Sequence, residues 1–118
     1  MTKDELKKRT KSFAVNVARF CRTIPYDFIM KHYIAQIIRS SSSVGANYRA
    51  ACRAKSKADF INKMRIVEEE ADETMFFLEL IYELTPDKQE QIKPLYSEAN
   101  EILSITVSSI NTAVKNNK

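Results

Sequence analysis

The chain has 118 residues, of which 44% are hydrophobic and 29% charged, with a net charge of +4. One glycine and three prolines are too few for the turns of an all-β fold or for a glycine-rich phosphate loop. We therefore predict a single all-α domain over residues 1–118. No apolar run has the length of a membrane span, and the N-terminus lacks a signal-peptide core, so we expect a soluble, cytoplasmic protein without membrane contact.

Charge is distributed unevenly along the chain. Residues 1–67 contain 15 Lys or Arg and 4 Asp or Glu, whereas residues 68–118 contain 4 and 11. This asymmetry indicates either a basic surface for nucleic acid or two halves that neutralise each other across packed helices or subunits. On charge alone we favour the second interpretation.

The first predicted helix spans about residues 3–22. Its inward stripe consists of apolar residues at helical spacing: Leu6, Phe13, Val17 and Phe20. Pro25 interrupts this pattern, because the residue before a proline avoids helical geometry. Asp27 is placed to cap the second helix, which we predict over about residues 27–54.

The second helix contains a polar run from Gln36 to Asn47, with four consecutive serines and the only glycine. Apolar residues continue on both sides at steps of three and four, so the run belongs to a helix and is not a linker. A polar row recurs beside this seam at Gln36, Arg39 or Ser40, Ser43 and Asn47. The small residues indicate either close packing of another helix or a site that a partner approaches.

A Ser-x-x-Asp capping box at Ser56 and Asp59 starts the third helix, predicted over residues 57–84. Its stripe is again spaced for a helix: Phe60, Met64, Val67, Ala71, Thr74, Leu78 and Ile81. Because the loop before it is short, the second and third helices should be antiparallel neighbours.

This antiparallel arrangement predicts a polar layer in the bundle core. Counting outward from the loop brings Arg39 within reach of Glu70 or Glu73, so we predict an ion pair at the helix interface. The expected members of the layer are Gln36, Arg39, Ser43, Asn47, Glu70 and Glu73. Such a layer would specify helix register and assembly.

The fourth helix is predicted over residues 94–115, after a short polar turn at residues 87–93. Pro94 either starts this helix or kinks it. Its apolar stripe is Ala99, Ile102, Thr106, Ile110 and Ala113. The tail from Lys115 to Lys118 is expected to fray. Together the four helices predict an antiparallel, up-down four-helix bundle.

Metal and cofactor chemistry finds no support in the sequence. A di-iron bundle needs Glu-x-x-His pairs, but the only histidine is His32 and Ile29 stands three residues before it. Cys21 and Cys52 each lie among apolar or small residues without a second cysteine nearby, so we expect two reduced, buried thiols. We predict no metal and no cofactor.

Catalysis is likewise not predicted. Glu69, Glu70 and Glu73 could act as an acid or base, but one helix supplies all three and no nucleophile with an adjacent base is visible. An ion-pair network that fixes helix register explains them better. We therefore expect a protein that is not an enzyme.

Nucleic acid, if it binds, should bind around the turn between the second and third helices. The densest basic cluster of the chain lies there: Arg49, Arg53, Lys55, Lys57 and Lys63. The tyrosines could stack on bases, although tyrosines at helical spacing usually pack at interfaces. They are Tyr26, Tyr33, Tyr48, Tyr82 and Tyr96.

Three stretches give the chain a family resemblance: Gln36 to Asn47, Lys55 to Phe60, and the acidic helix through Glu73. They resemble the four-helix-bundle proteins encoded within intervening sequences of large-subunit ribosomal RNA genes, often labelled ribosomal proteins. The family pattern has the same Gln, Arg, Ser and Asn spacing and a Glu at the position of Glu73. The chain departs from it at Arg49-Ala50-Ala51, where the family has Ala-Glu-Gly, and at Glu69-Glu70, where it has Gly-Ser.

This resemblance implies an antiparallel bundle that assembles into a ring, a homopentamer around a central channel. The chain is also similar to the accessory proteins of diversity-generating retroelements, which act with a reverse transcriptase and its RNA. No enzymatic activity is implied, and the ribosomal label follows gene location. We therefore expect a homo-oligomer that binds RNA or DNA, or an adaptor that acts only through protein contacts, for example with a reverse transcriptase.

Overall fold

Four long helices make up the computed structural model, which describes residues 1–116. Helix α1 spans Lys3–Cys21, α2 spans Phe28–Cys52, α3 spans Lys57–Leu84 and α4 spans Gln89–Lys115, preceded by a 3-10 turn at Pro86–Lys88. Lys115 is still helical, and the predicted fraying of the two residues after Asn116 lies outside the described residues. The all-α prediction is confirmed, with helix bounds that agree closely for the first three helices.

Three helix starts are fixed by side chains that accept backbone hydrogen bonds. The Thr2 hydroxyl caps α1. The Asp27 carboxylate accepts the Met30 N–H at 2.8 Å and caps α2. The Ser56 hydroxyl accepts the Asp59 N–H at 3.0 Å and caps α3. Each bond satisfies one of the N–H groups that a helix start leaves without a partner, which explains why the bounds were predictable.

The helices form an antiparallel four-helix bundle with extents of 50 × 22 × 21 Å. Helices consecutive in the chain pack along their length, and α1 and α4 close the bundle through a weaker contact. The predicted stripes meet in one core, whose most buried large side chains include Phe13, Ile37, Met64, Leu78, Ile81 and Ile102. Burying each such side chain contributes about 1.5–3 kcal/mol, so the seams hold the fold together.

Helices α1 and α2 pack closely at Gly45. A methyl group added at Gly45 would lie 3.4 Å from the Thr10 hydroxyl oxygen of α1, and Thr10 is itself 1% exposed. Close helix packing, one of the two explanations for the small residues of α2, therefore accounts for this glycine.

Helix α4 begins at Gln89, five residues before the predicted start at Pro94. The 3-10 turn at Pro86–Lys88 runs directly into the helix, so Pro94 lies inside it. Inside a helix, proline removes one backbone hydrogen bond and its ring clashes with the carbonyl four residues earlier. Ile92 and Leu95 on either side of it are buried in the core, which offsets that loss.

The two cysteines are free thiols, as expected, but only one is fully buried. Burial raises the pKa of the Cys21 thiol to about 11, so it stays protonated and unreactive at neutral pH. Cys52 is half-buried and packs at the edge of the core, next to the buried Ala51. Among residues 1–116, no helix combines the length and apolar character needed to cross a membrane.

Candidate nucleic-acid interface

Arg39 lies between two carboxylates at the α2–α3 interface. Its Nη1 is 3.1 Å from Glu70 Oε2, and its Nη2 donates to Glu73 Oε2. The predicted ion pair is confirmed, but the predicted position in the core is wrong. The Arg39 side chain is 49% exposed. The neighbouring Ser40 takes the inward direction, so Arg39 points along the solvent edge.

The two sides of this ion pair experience different environments. Both carboxylates raise the pKa of the exposed Arg39 guanidinium. Burial raises the pKa of the Glu70 carboxyl, and the hydrogen bond from Arg39 opposes that rise only in part. The Glu70 carboxylate therefore loses more hydration free energy on burial than its bond with Arg39 returns, which makes the ion pair a weak source of stability.

The polar contact that does lie in the core joins Ser40 of α2 to Thr74 of α3. Both residues are fully buried, and their hydroxyl oxygens are 2.9 Å apart. The Ser40 hydroxyl also donates to the Ile37 carbonyl, and the Thr74 oxygen lies 2.8 Å from the Glu70 carbonyl oxygen. Both buried hydroxyls therefore have hydrogen-bond partners, as a stable interior requires.

The remaining members of the predicted polar layer lie along α2 and are half-buried. The Asn47 amide donates to the Ser43 carbonyl at 2.9 Å and to the Ser43 hydroxyl at 2.8 Å, both within α2. Gln36 lies on the same side of the helix. The predicted core layer is therefore corrected to three separate groups: an exposed ion pair, a buried hydroxyl pair and a contact local to α2.

The predicted basic cluster lies at the end of the bundle where α2 turns into α3. We call Arg49, Arg53, Lys55 and Lys57 the basic end. All four side chains are exposed, and within residues 1–116 none has an Asp or Glu partner. The Lys57 ammonium donates to the Asn116 carbonyl, a neutral group that leaves its charge uncompensated.

Lys63 differs from the other members of the predicted cluster. Its Nζ is 2.6 Å from Asp59 Oδ1, and its side chain is 33% exposed. Lys63 lowers the pKa of the Asp59 carboxyl, whose other oxygen accepts the Lys55 N–H. The charge of Lys63 is therefore used at the start of α3, and the four-residue spacing to Asp59 could have revealed this in the sequence.

Helix α1 adds cations to this end that the sequence interpretation missed. Because Thr10 packs against Gly45 in an antiparallel pair, the first turn of α1 lies at the same end as the last turn of α2. Lys3 and Lys7 therefore belong to the same end of the bundle. The predicted antiparallel arrangement already implied this, since antiparallel neighbours bring the start of one helix to the end of the next.

Arg9 of α1, in contrast, is paired with carboxylates. Its guanidinium makes two bonds of 2.7 Å to Glu98 and one of 2.8 Å to Glu101, both on α4. The carboxylates raise the pKa of Arg9. This bidentate pair closes the α1–α4 side of the bundle.

The tyrosines are placed for packing rather than for base stacking at the basic end. Tyr48 is buried, and burial followed by a contact to Cys52 raises its pKa. The Tyr96 hydroxyl donates to Glu79 at 3.1 Å. Tyr26 is 77% exposed but precedes α2, at the opposite end of the bundle.

The chain matches the family model described as 23S rRNA-intervening sequence protein over residues 2–108. It belongs to this family. The matched region contains the Arg39 ion pair, the buried hydroxyl pair and the whole basic end.

A solved structure supports the assignment to this family. This member of the 23S rRNA-intervening sequence family is similar to a protein of unknown function from the S23 ribosomal protein family of Bacteroides thetaiotaomicron VPI-5482. The two are 36% identical with a TM-score of 0.79, covering 88% of this chain and 96% of the other. No curated protein matches the chain. Neither the family description nor this neighbour names a catalytic activity.

The opposite end of this family member presents apolar side chains to solvent. Phe28 is 88% exposed and Ile29 is 57% exposed at the start of α2. Further along the bundle the half-buried Tyr33 contacts Phe77 of α3 at a centroid distance of 6.2 Å, and Phe76, which lies beside the ion pair between α2 and α3, is 54% exposed. We call Phe28, Ile29, Tyr33, Phe76 and Phe77 the aromatic patch. Large exposed apolar groups such as Phe28, Ile29 and Phe76 are common at protein contact surfaces.

Within residues 1–116, no group of three His, Cys, Asp or Glu side chains is placed to hold a metal ion. Glu70 and Glu73, two of the three carboxylates considered for acid–base chemistry, are both engaged by Arg39. The arrangement at the basic end is suited to attracting phosphate groups by charge.

Proposed function

We propose that the protein is a non-catalytic, homo-oligomeric bundle that binds RNA or DNA through the basic end. The observation that carries this proposal is the contrast in pairing among its cations. Arg9 and Arg39 each bond two carboxylates, whereas the side chains of Arg49, Arg53 and Lys55 form no ion pair within residues 1–116.

Unpaired cations on one surface are what phosphate binding requires. A cation already bonded to a carboxylate gains little from a phosphate, because the existing pair must first be broken. The four cations of the basic end lie close together along the α2–α3 turn, so they can contact neighbouring phosphates of one strand. Their charge is independent of base identity, and the binding we propose is therefore insensitive to sequence.

A fluorescence titration with labelled single-stranded RNA and its DNA equivalent tests this proposal. Four phosphate contacts with a single strand predict an affinity loss of about 50-fold between about 50 and 200 mM salt. Affinity that is absent, or that does not change with salt, would contradict nucleic-acid binding. Comparing the two nucleic acids decides between RNA and DNA.

Self-assembly is the second half of the proposal, and the family resemblance supports a ring. Light scattering measures it directly, because the monomer has a mass of 13.6 kDa. We expect a multiple of that mass at micromolar concentration, five-fold for a homopentamer. A monomer at this concentration would contradict the proposed ring.

An adaptor role is the alternative, and the aromatic patch favours it. Phe28 and Phe76 expose large apolar surface that a protein partner could cover, such as the reverse transcriptase implied by the resemblance. A Phe28→Ser and Phe76→Ser variant separates the two functions. Loss of partner binding with nucleic-acid affinity intact would favour the adaptor. Loss of nucleic-acid affinity with partner binding intact would favour the nucleic-acid binder.

A further inference from the structure

We infer that the outward face of α1 of one copy docks into the α3–α4 groove of a second copy. The inference rests on the proposed self-assembly and names the two surfaces that meet. One surface is a row of cations on α1 and the other a row of carboxylates along α3. Within residues 1–116, no residue of either row forms an ion pair in its own bundle.

The first surface is the solvent side of α1. Lys8, Lys11, Arg19 and Arg22 recur along it at helical spacing, with the exposed Val15 at the centre. No acidic residue occurs between Leu6 and Tyr26. Within residues 1–116, none of the four cations has a carboxylate partner.

The second surface is the groove between α3 and α4, formed by two adjoining concavities of about 750 and 510 Å³. Its α3 side carries a row of carboxylates: Glu68, Asp72, Glu79 and Glu83. None of them has a Lys or Arg partner within residues 1–116. Tyr82, Tyr96 and Leu103 supply a half-buried floor, and Arg65 and Lys93 are the cations of the lining.

The two rows agree in length as well as in sign. From Lys8 to Arg22 is about 21 Å along α1, and from Glu68 to Glu83 is about 22 Å along α3, at about 1.5 Å per residue. A helix lying along the groove therefore brings its charges level with the carboxylates, while Val15 meets the apolar floor. Charge complementarity of this kind selects the partner and fixes the register.

The contact joins two different surfaces, so it is heterologous. Each copy that donates its α1 face keeps an open groove, and each that fills its groove keeps a free α1 face. Repetition of such a contact closes into a ring if the rotation between copies permits. Arg49 and Arg53 lie on α2, outside both surfaces, so the basic end remains open to phosphate.

Charge reversal tests the contact. One variant carries Lys11→Glu and Arg19→Glu, a second carries Asp72→Lys and Glu79→Lys, and a third carries all four. The control is Arg49→Glu with Arg53→Glu, which makes the same charge change as the first variant outside the contact. Light scattering at micromolar concentration gives the mass of each, and circular dichroism checks that each remains helical.

We expect both two-site variants to fall to the 13.6 kDa monomer, because like charges then face each other. The four-site variant should recover the wild-type mass, because the charges are again opposite, and the control should keep it. If the wild type is oligomeric but the two-site variants keep its mass, or the four-site variant stays monomeric, the docking is overturned and self-assembly stands. A monomeric wild type would overturn both.

Discussion

The arginine in the middle of α2 is paired with carboxylates, whereas the arginines at its end are not. Arg39 is exposed but bonded to Glu70 and Glu73, whereas Arg49 and Arg53, three and four turns further on, have no carboxylate partner within residues 1–116. The facing segment of α3 explains the difference: it is acidic opposite Arg39 and basic opposite the end of α2. Exposure alone therefore does not identify a cation that can bind phosphate; its partners within the bundle decide.

The largest expected effect comes from removing charge at the end of α2. Arg49→Gln with Arg53→Gln should lower RNA or DNA affinity roughly 100-fold at low salt and reduce the salt slope by about 2, since two phosphate contacts are lost. Arg39→Gln is the matched control, and it should leave affinity unchanged because that charge is already neutralised. Equal losses in both variants would erase the distinction between the two regions.

The position between these arginines can be tested through Gly45. Gly45→Leu should destabilise the protein by about 2 kcal/mol, because a large side chain forces α1 away from α2. Gly45→Ala should stabilise it by up to about 1 kcal/mol, since alanine is the better helix former and its methyl group fits beside Thr10. Urea unfolding measures both. A stable leucine variant would show that α1 is not held at this point.

The buried hydroxyl pair beside Arg39 should contribute more than the ion pair itself. Ser40→Ala and Thr74→Val should each cost about 1 kcal/mol, because each leaves a buried partner less well bonded. The double variant should cost less than the sum, and a double-mutant cycle by urea unfolding gives the coupling. Strict additivity would mean that the two hydroxyls do not interact.

The smallest effect concerns Glu70 and appears in its pH dependence. Because burial raises its pKa above the usual 4.5, the folded protein binds this proton more tightly than the unfolded chain. That contribution to stability is complete at low pH and is lost as pH rises through the folded pKa. Glu70→Gln should therefore gain stability relative to wild type between about pH 3.5 and pH 7.

Thermal unfolding of both proteins at the two pH values measures this difference. Arg39 and Glu73 face position 70 in both proteins, so the comparison isolates the carboxyl group of Glu70. A difference that moves the other way with pH would mean that Arg39 compensates fully for the burial of Glu70.

Local sequence signals predicted the fold, whereas locating the site required knowing how the helices pack against one another. Asp27 and Ser56 are caps whose effect depends on residues three positions away, so sequence alone located those helix starts. Pro94 misled the prediction for α4 because proline is favoured in the first turn of a helix and disfavoured in its interior. The buried side chains at Ile92 and Leu95, which settle that choice, depend on the completed bundle.

The polar row of α2 shows the same limit at the level of one residue. Arg39 and Ser40 fit the spacing equally well, and a difference of about 100° around the helix decides which one is buried. Only the position of Thr74 on α3 settles it. The pairing of Arg9 with Glu98 spans most of the chain, so no local pattern indicated it.

The closure of α1 against α4 also has a kinetic consequence. Contacts between consecutive helices are local in sequence, whereas Arg9 and Glu98 are separated by 89 residues. Local contacts form early in folding, and distant ones form after the loop entropy has been lost. Substitutions at Arg9 should therefore accelerate unfolding while leaving the folding rate almost unchanged, which makes this seam a determinant of how long the native bundle persists.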